Sequence, residues 1–455
     1  MSLGFDPTTY DLTEGVLFAS KELLISAVIQ AQIRTDRNYI MEKSTPQVSQ
    51  TPQLKVSNII TMVNDEYQHL VSYVKAWRGK MAAMESVYGS WKTTYNELSR
   101  FLNVMASTNV GSIFVVEVVP HHIERGTSTF VHAFRCLKAS IDGWKNARPV
   151  ISIDGTFLKG KYNGKLLVAV GVDSNNHQYP ICFALVDGET TELVLVSTSF
   201  TKTCFHRFCL HHVRSNFSKA YPGKELKMYM WLVGSTPQIR KHDAYMKKIG
   251  ELSPQALRWL QGINPALWTI CHDTGHARYG QATTNITESF NGNVRVTRHL
   301  PVTAMIEFLF YKTVRTVNKE RNAVLEGLSE GHELCLKTRN QLEKIAAKSN
   351  GHRVEKFNRG TGLFSVKTQR YRLKGTNKGG NTQVVDITQR TCTCGKWACH
   401  CLACSHLIAA CNHNHLNWKQ WIGPFHYNST LLKLWEPMIY PLPATGYWDI
   451  DFPVE

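Results

Sequence analysis

The chain is expected to fold as a mixed α/β core joined to helical regions, and three stretches carry that expectation. Residues 148–192 read as three consecutive strands, 213–270 read as helical, and 383–411 crowd cysteine and histidine around a short strand and an apolar helix. The first predicts a sheet, the second an all-α insertion beside it, and the third a small C-terminal module with little apolar core of its own.

In the first stretch, 150–157 is apolar and β-branched, with one carboxylate, Asp154, near its end. Residues 166–172 and 179–186 are short apolar runs, and Asn163-Gly164 and Ser174-Asn175-Asn176 supply the turns between them. An Asp at the end of a central strand, followed by an antiparallel meander, is how RNase H-like nucleases hold a first metal ion. Any strand can end in Asp, so the pattern alone leaves the role open.

Composition bounds the class. With 455 residues and a formal net charge of +17 at pH 7, the chain has room for roughly two to four domains and favours a polyanionic partner, most often nucleic acid. No apolar run approaches the ~20 residues that span a bilayer, and the opening MSLGFDPTTYDLTEG lacks a basic region followed by an apolar one. The expectation is a nuclear protein without membrane or small-molecule partners. Its twelve cysteines should be reduced, and six of them between Cys392 and Cys411 suit a metal site better than a disulfide framework.

Residues 1–50 read as a strand then a helix, leading into the polar stretch STPQVSQTPQ. Residues 51–145 are expected to be largely helical: Ile59, Ile60, Val63, Tyr67, Leu70 and Val74 recur at helical spacing, and Gly89 breaks the pattern before a second helix through 98–105. Lys75, Arg78 and Lys80 would decorate the turn after the first helix. Such a basic helix pair docks on DNA in helix-turn-helix proteins, or it is a solvated face of a packing domain. Residues 110–119 should form a strand and 128–145 a helix leading into Asp154.

Further on, His206, Cys209 and His212 lie at i, i+3, i+6 on an expected helix start, either as metal ligands or as helix packing. Glu288 opens another amphipathic helix with Thr284, Asn285 and Thr287 as capping candidates, where a Glu is favoured by the helix dipole. Arg295, Arg298, Lys312, Arg315, Lys319 and Arg321 follow, either facing phosphates or solvent. Residues 346–380 read as a basic linker around one strand, LFSVKT at 363–368. In 381–420, Cys392 and Cys394 at the end of a hairpin strand, with Cys404 and His406 at the start of LIAAC, form a four-ligand set suited to tetrahedral Zn²⁺. Cys399, His400, Cys401 and Cys411 are additional candidates, and 421–455 reads as a tail.

The words IDGTFLKGKYNG, VDSNNHQYPICFALVDGETTE, HRFCLHHVRSNF and TNITESFN, followed by Cys-x-Cys-Gly-x-Trp and Cys-x-His, resemble plant Mutator-like element (MULE, MuDR-type) transposases that carry a C-terminal SWIM zinc finger. The resemblance runs, with gaps, over about 5–448. It implies a remnant N-terminal MuDR-like domain in 1–50 and an RNase H-like core in 146–345 with a helical insertion at about 206–285. It also implies a structural Zn²⁺ on Cys392, Cys394, Cys404 and His406. In that family three carboxylates clamp two divalent ions, Mg²⁺ or Mn²⁺, for DNA cleavage and strand transfer. Asp154 matches the first acid and Glu288 the third, Cys209 and His212 match a Cys-x-x-His feature, and Asp173 and Asp187 occupy non-catalytic positions.

One departure matters most. The family places a helix, a strand ending in the second catalytic Asp, and another helix after GETTE. Here LVLVSTSFTKTCF alone separates Glu192 from His206, and the βαβ-type path needs some thirty residues. The core is therefore expected to be incomplete near 192–206, and Thr198 or its neighbour stands where the second acid belongs. Three functions follow. The first is a transposase-derived protein that binds zinc and DNA without strand transfer. The second is an active transposase represented by a truncated gene model, and the third is a zinc-dependent module for protein partners or self-association.

Overall fold

The computed structural model describes residues 54–67, 70–120, 128–186, 205–358, 362–373 and 376–444. The expected N-terminal domain of 1–50 and the shortened stretch 187–204, with Asp187 and Thr198, lie outside them.

Three helices come first, α1 (Val56–Tyr67), α2 (Tyr73–Tyr88) and α3 (Thr94–Thr108). The expected helical stripe stops at Tyr67: Ile59 and Val63 are buried on α1, whereas Leu70 and Val74 are exposed. Ser72 starts α2 by accepting the Lys75 N–H, a cap that satisfies a donor with no partner inside the helix. Lys75, Arg78 and Lys80 therefore sit on α2 itself and not in a turn.

Five strands then form one antiparallel sheet: β1 (Ile113–Pro120), β2 (Ser128–Cys136), β3 (Ser152–Phe157), β4 (Lys165–Val172) and β5 (Gln178–Val186), in the order β1-β2-β5-β4-β3. The expected helix over 128–145 is confined to α4 (Lys138–Trp144). Residues 128–136 pair with β1 on one side and β5 on the other. Their run of aromatic and β-branched residues suits a pleated surface, and two hydrogen-bonding neighbours outweigh local helix preference. A second correction concerns β3. Among the described residues it pairs with β4 alone and is the last strand of the sheet, where a central strand was expected for Asp154; the stretch 187–204 lies outside them.

The sheet buries Leu166, Val168 and Val170 of β4 with Phe183 and Leu185 of β5 against Phe101, Leu102 and Met105 of α3 and against Met305, Leu309 and Phe310 of the long helix α10 (Val302–Ser329). Each such side chain contributes roughly 1.5–3 kcal/mol on burial. The segment 205–270 forms a separate helical unit of α5 (Leu210–Ala220), α6 (Lys224–Ser235), α7 (Ile239–Leu252) and α8 (Pro254–Gln261). Its core holds Phe217, Met230, Ile249, Leu260 and the fully buried Trp268, with Trp231 and Trp259 packed at its margin. Ser253 caps α8 through the Ala256 N–H, and Pro254 occupies the first helical position. The chain returns to the sheet through α9 (Asn285–Asn293).

After α10 come α11 (Leu336–Ser349) and strands β6 (Arg353–Asn358), β7 (Leu363–Lys367), β8 (Tyr371–Leu373) and β9 (Thr376–Lys378); the basic linker expected over 346–380 around one strand, 363–368, has that strand as β7 and three more beside it. β6 and β7 join β10 (Thr382–Asp386) and β11 (Thr391–Cys392) in a second antiparallel sheet ordered β11-β10-β7-β6. The module ends in α12 (Lys396–His400) and α13 (Ser405–His413). It is not a free appendage. Gly395 has φ +71°, and a Cβ there would strike the Pro237 carbonyl of the helical unit. Tyr279 and Phe425 meet edge to face at 5.8 Å.

The expected tail is also structural, because α14 (Asn428–Trp435) inserts Trp435, fully buried, against Tyr179 of β5 at 5.0 Å. Arg321 of α10 donates to the carbonyls of Trp435, Glu436 and Pro437. That arginine was expected to face phosphate or solvent; here it holds the chain's return.

Candidate functional site

The C-terminal module brings Cys392, Cys394, Cys404 and His406 together. All four are buried, and one ligand atom from each lies within 4.8 Å of the others. Their sequence explains the convergence: β11 delivers Cys392, the left-handed Gly395 reverses the chain after Cys394, and α13 opens with Cys404 at its N-cap and His406 two residues on, in its first turn. His406 Nδ1 sits 3.6 Å from Cys392 Sγ and 3.9 Å from Cys404 Sγ.

Trp397, in α12, is buried and meets Trp421 edge to face. The His352 ring stacks on His406 at 5.2 Å while its Nε2 pairs with Ser405 Oγ. Hydrogen bonds from Cys392 and Cys404 hold the Cys394 thiol far below the ordinary thiol range, and the Cys394 contact drives Cys392 upward. A bound cation of the zinc class would take these thiols as thiolates, releasing their protons. Three sulfurs and one imidazole nitrogen, shielded from water, are a donor set that fits Zn²⁺. The other cysteines stand apart from this group: burial pushes Cys399 and Cys411 each up to about 12, and Cys401 Sγ faces the Ala398 carbonyl.

A second constellation forms where α9 crosses the sheet edge. Thr287 of α9 donates to the Ser152 carbonyl of β3, Phe290 packs on Phe183, and Asn291 Nδ2 donates to Asp154 Oδ2 at 3.1 Å. This docking sets Glu288 near Asp154. Burial raises the Asp154 pKa above the ordinary carboxylate range, with the Glu288 charge adding to the rise and His212 opposing it.

Cys209, His212 and Glu288 also form a group with ligand atoms within 4.8 Å. Cys209 is the N-cap of α5 and His212 lies in its first turn, so the helix begins after Cys209 and His206 stays outside the cluster. Cys209 Sγ accepts from the Thr284 N–H and hydroxyl at 3.2 Å each. Thr284 is the N-cap of α9, yet its hydroxyl serves Cys209 and Glu288, and Thr287 serves β3. The expected side-chain cap is not formed: Thr284 has φ −85° and ψ 17°, away from the extended backbone that aims an N-cap oxygen at the first helical turn.

The basic candidates divide. Lys75 and Arg78 are exposed on α2. Lys80 is buried, donates to the Leu54 carbonyl at 2.7 Å, and has its pKa lowered by burial, so it does not offer a surface charge to DNA. Arg298 donates to Thr156 on β3, two residues beyond Asp154 and on the same side of the strand, with exposed Arg295 beside it. Burial, together with the charges of Lys80, Arg298 and Lys159, pushes His299 down to about 4. A basic cluster therefore adjoins the acid pair, and the position of Lys159 within it was not read from sequence.

Asp173, at the end of β4, differs from Asp154. Its carboxylate is fully buried and accepts from the His177 N–H, His177 Nδ1 and Trp435 Nε1. That saturation makes it a structural acid.

A family model for the MULE transposase domain matches residues 150–205, which include β3, β4, β5 and Asp154. This supports a MULE-type origin for that stretch. No curated protein and no solved structure matches the chain. Among the described residues no helix is long and apolar enough to cross a membrane.

Proposed function

We propose that the chain is a MULE transposase-derived protein that binds zinc and DNA in the nucleus without transferring DNA strands. The observation that carries this reading is the match at 150–205 on the strand of Asp154, together with the thirteen residues between Glu192 and His206 where a second acid would belong. An RNase H-like two-metal centre uses three carboxylates. Two acids beside a histidine and a cysteine are a poor substitute, since losing even an outer partner of a metal site costs about 10–100-fold.

In this reading the Cys392, Cys394, Cys404 and His406 set is a SWIM-type structural zinc site. Four protein ligands leave no open position, and the metal supplies folding energy rather than chemistry. Arg295, Arg298 and Lys159 beside the sheet edge, with Lys75 and Arg78 on α2, are the proposed phosphate contacts. The net charge of +17 supports them.

The test is DNA affinity across a salt series. Phosphate neutralisation gives a log–log slope of about −0.9 per contact, so a slope steeper than about −3 is expected. An affinity indifferent to salt would favour the zinc-dependent protein-interaction reading instead. The proximity of Asp154 and Glu288 favours one other reading, an active enzyme whose gene model is truncated. Nicking of DNA that requires Mg²⁺ or Mn²⁺ and disappears in Asp154→Ala would establish that one and end the inactive reading.

A further inference from the structure

The helical unit holds another set of metal-binding side chains, which neither the family match nor the proposed function uses. His242 lies in the first turn of α7, and Cys271 and His272 lie in the turn that leaves the unit towards α9. One ligand atom from each of the three lies within 4.8 Å of the others. The two imidazoles meet edge to face with centroids 4.5 Å apart, and Cys271 Sγ lies 3.2 Å from His272 Nδ1.

Proximity alone would be weak grounds, and His242 supplies an independent one. The residue is 7% exposed, and its Nε2 is buried without a hydrogen-bond partner. Its Nδ1 lies 2.9 Å from Asp243 Oδ1. A carboxylate accepts and does not donate, so the imidazole proton sits on Nδ1 and Nε2 presents a bare lone pair. A buried polar atom left unpaired costs about 1–3 kcal/mol. The same carboxylate–imidazole arrangement is how proteins orient a metal-bound histidine, with the second nitrogen aimed at the ion.

We propose that His242, Cys271 and His272 form a second transition-metal site, distinct from the C-terminal quartet, for an ion of the Zn²⁺ class. Two imidazoles and one thiolate select borderline ions, and the absence of oxygen donors in the trio disfavours Mg²⁺ and Ca²⁺. Asp243 acts as a positioning residue behind His242. With three protein ligands, the fourth position is left to water.

The site would clamp α7 to the loop that runs into α9. Asp273 in that loop already accepts from Arg207 and from the Arg278 N–H, and Arg278 donates to the Phe208 carbonyl. A metal one residue earlier would add a cross-link between the helical unit and the helix carrying Glu288.

The experiment is a Zn²⁺ titration of the metal-free, reduced full-length protein against a chromophoric chelator. Cys271→Ser and His242→Gln are each expected to lose about one equivalent relative to the parent protein. Cys404→Ser should lose a separate equivalent, and the Cys271→Ser, Cys404→Ser double variant should lose both. Identical stoichiometry in the parent, Cys271→Ser and His242→Gln would overturn the proposal. Cys271 is only partly buried, so its serine variant is the one expected to stay folded, and it decides the matter if His242→Gln does not.

Discussion

The two constellations differ in how their geometry is held. The C-terminal quartet draws all four ligands from one short run between Cys392 and His406, buries them completely and surrounds them with its own core of Phe364, Val385, Leu407 and Ile408. Asp154 and Glu288 come from distant parts of the chain, and the charge of Glu288 is felt at Asp154 across the end of the described sheet. Their approach depends on α9 docking through Thr287, Phe290 and Asn291. A site whose ligands are close in sequence needs only a turn and a helix start to assemble. One whose ligands are far apart forms only once the long chain between them has been closed and ordered.

The largest effect should come from the quartet. Cys404→Ala is expected to release zinc and unfold the module from β6 to α13, because a structural zinc contributes on the order of 10 kcal/mol to such a unit. Metal analysis combined with hydrogen exchange would check this. A chelator should reproduce the result on the parent protein while leaving exchange in β3–β5 slow. If β3–β5 opened together with the module, the two regions would be one cooperative unit and the contrast would fail.

Phe290→Ala should come next. It removes a side chain 2% exposed from the main core and is expected to cost about 3–5 kcal/mol in a denaturant melt. Zinc content should stay unchanged, while protection of β3 falls as α9 loosens.

A smaller, pH-dependent effect is expected at His177. Hydrogen bonds with Asp173 and Glu320 raise its pKa to about 10, while the unfolded value is 6.5. A raised folded pKa means that its stabilisation is complete below pH 6.5 and fades as pH climbs towards 10. His177→Gln should therefore lower the melting temperature most near pH 6 and match the parent protein near pH 10. The side chain is 41% exposed, so screening keeps the gap within about 1 kcal/mol. A gap that stayed constant across this range would mean that packing and not charge is responsible.

Asp154→Ala should do least. DNA affinity set by phosphate contacts is expected to change by less than about twofold in a binding isotherm. Removing a carboxylate whose ionised form is disfavoured by burial should not lower the melting temperature. A marked loss of stability would show that the Asn291 contact anchors α9 more than Thr287 and Phe290 do.

Much of this was legible in the residues themselves. The meander β3–β4–β5 followed from apolar runs cut by Asn-Gly and Ser-Asn-Asn, since alternation and turn chemistry act over a few residues. The Cys-x-Cys and Cys-x-His pairs announced their quartet because spacing that short leaves few other geometries. Tertiary structure decided what depends on distant partners. It made 128–136 a strand by giving it neighbours on both sides, placed β3 last in the sheet of the described residues, and turned Lys80 and Arg321 inward onto carbonyls. It also turned the linker and tail into a sheet and a core helix, and brought His242 to Cys271 and His272, a meeting that no local pattern encodes. Local propensities are worth tenths of a kcal/mol to about 1 kcal/mol per residue, whereas burial and pairing with distant segments are worth several, so wherever the two disagreed the distant partner prevailed.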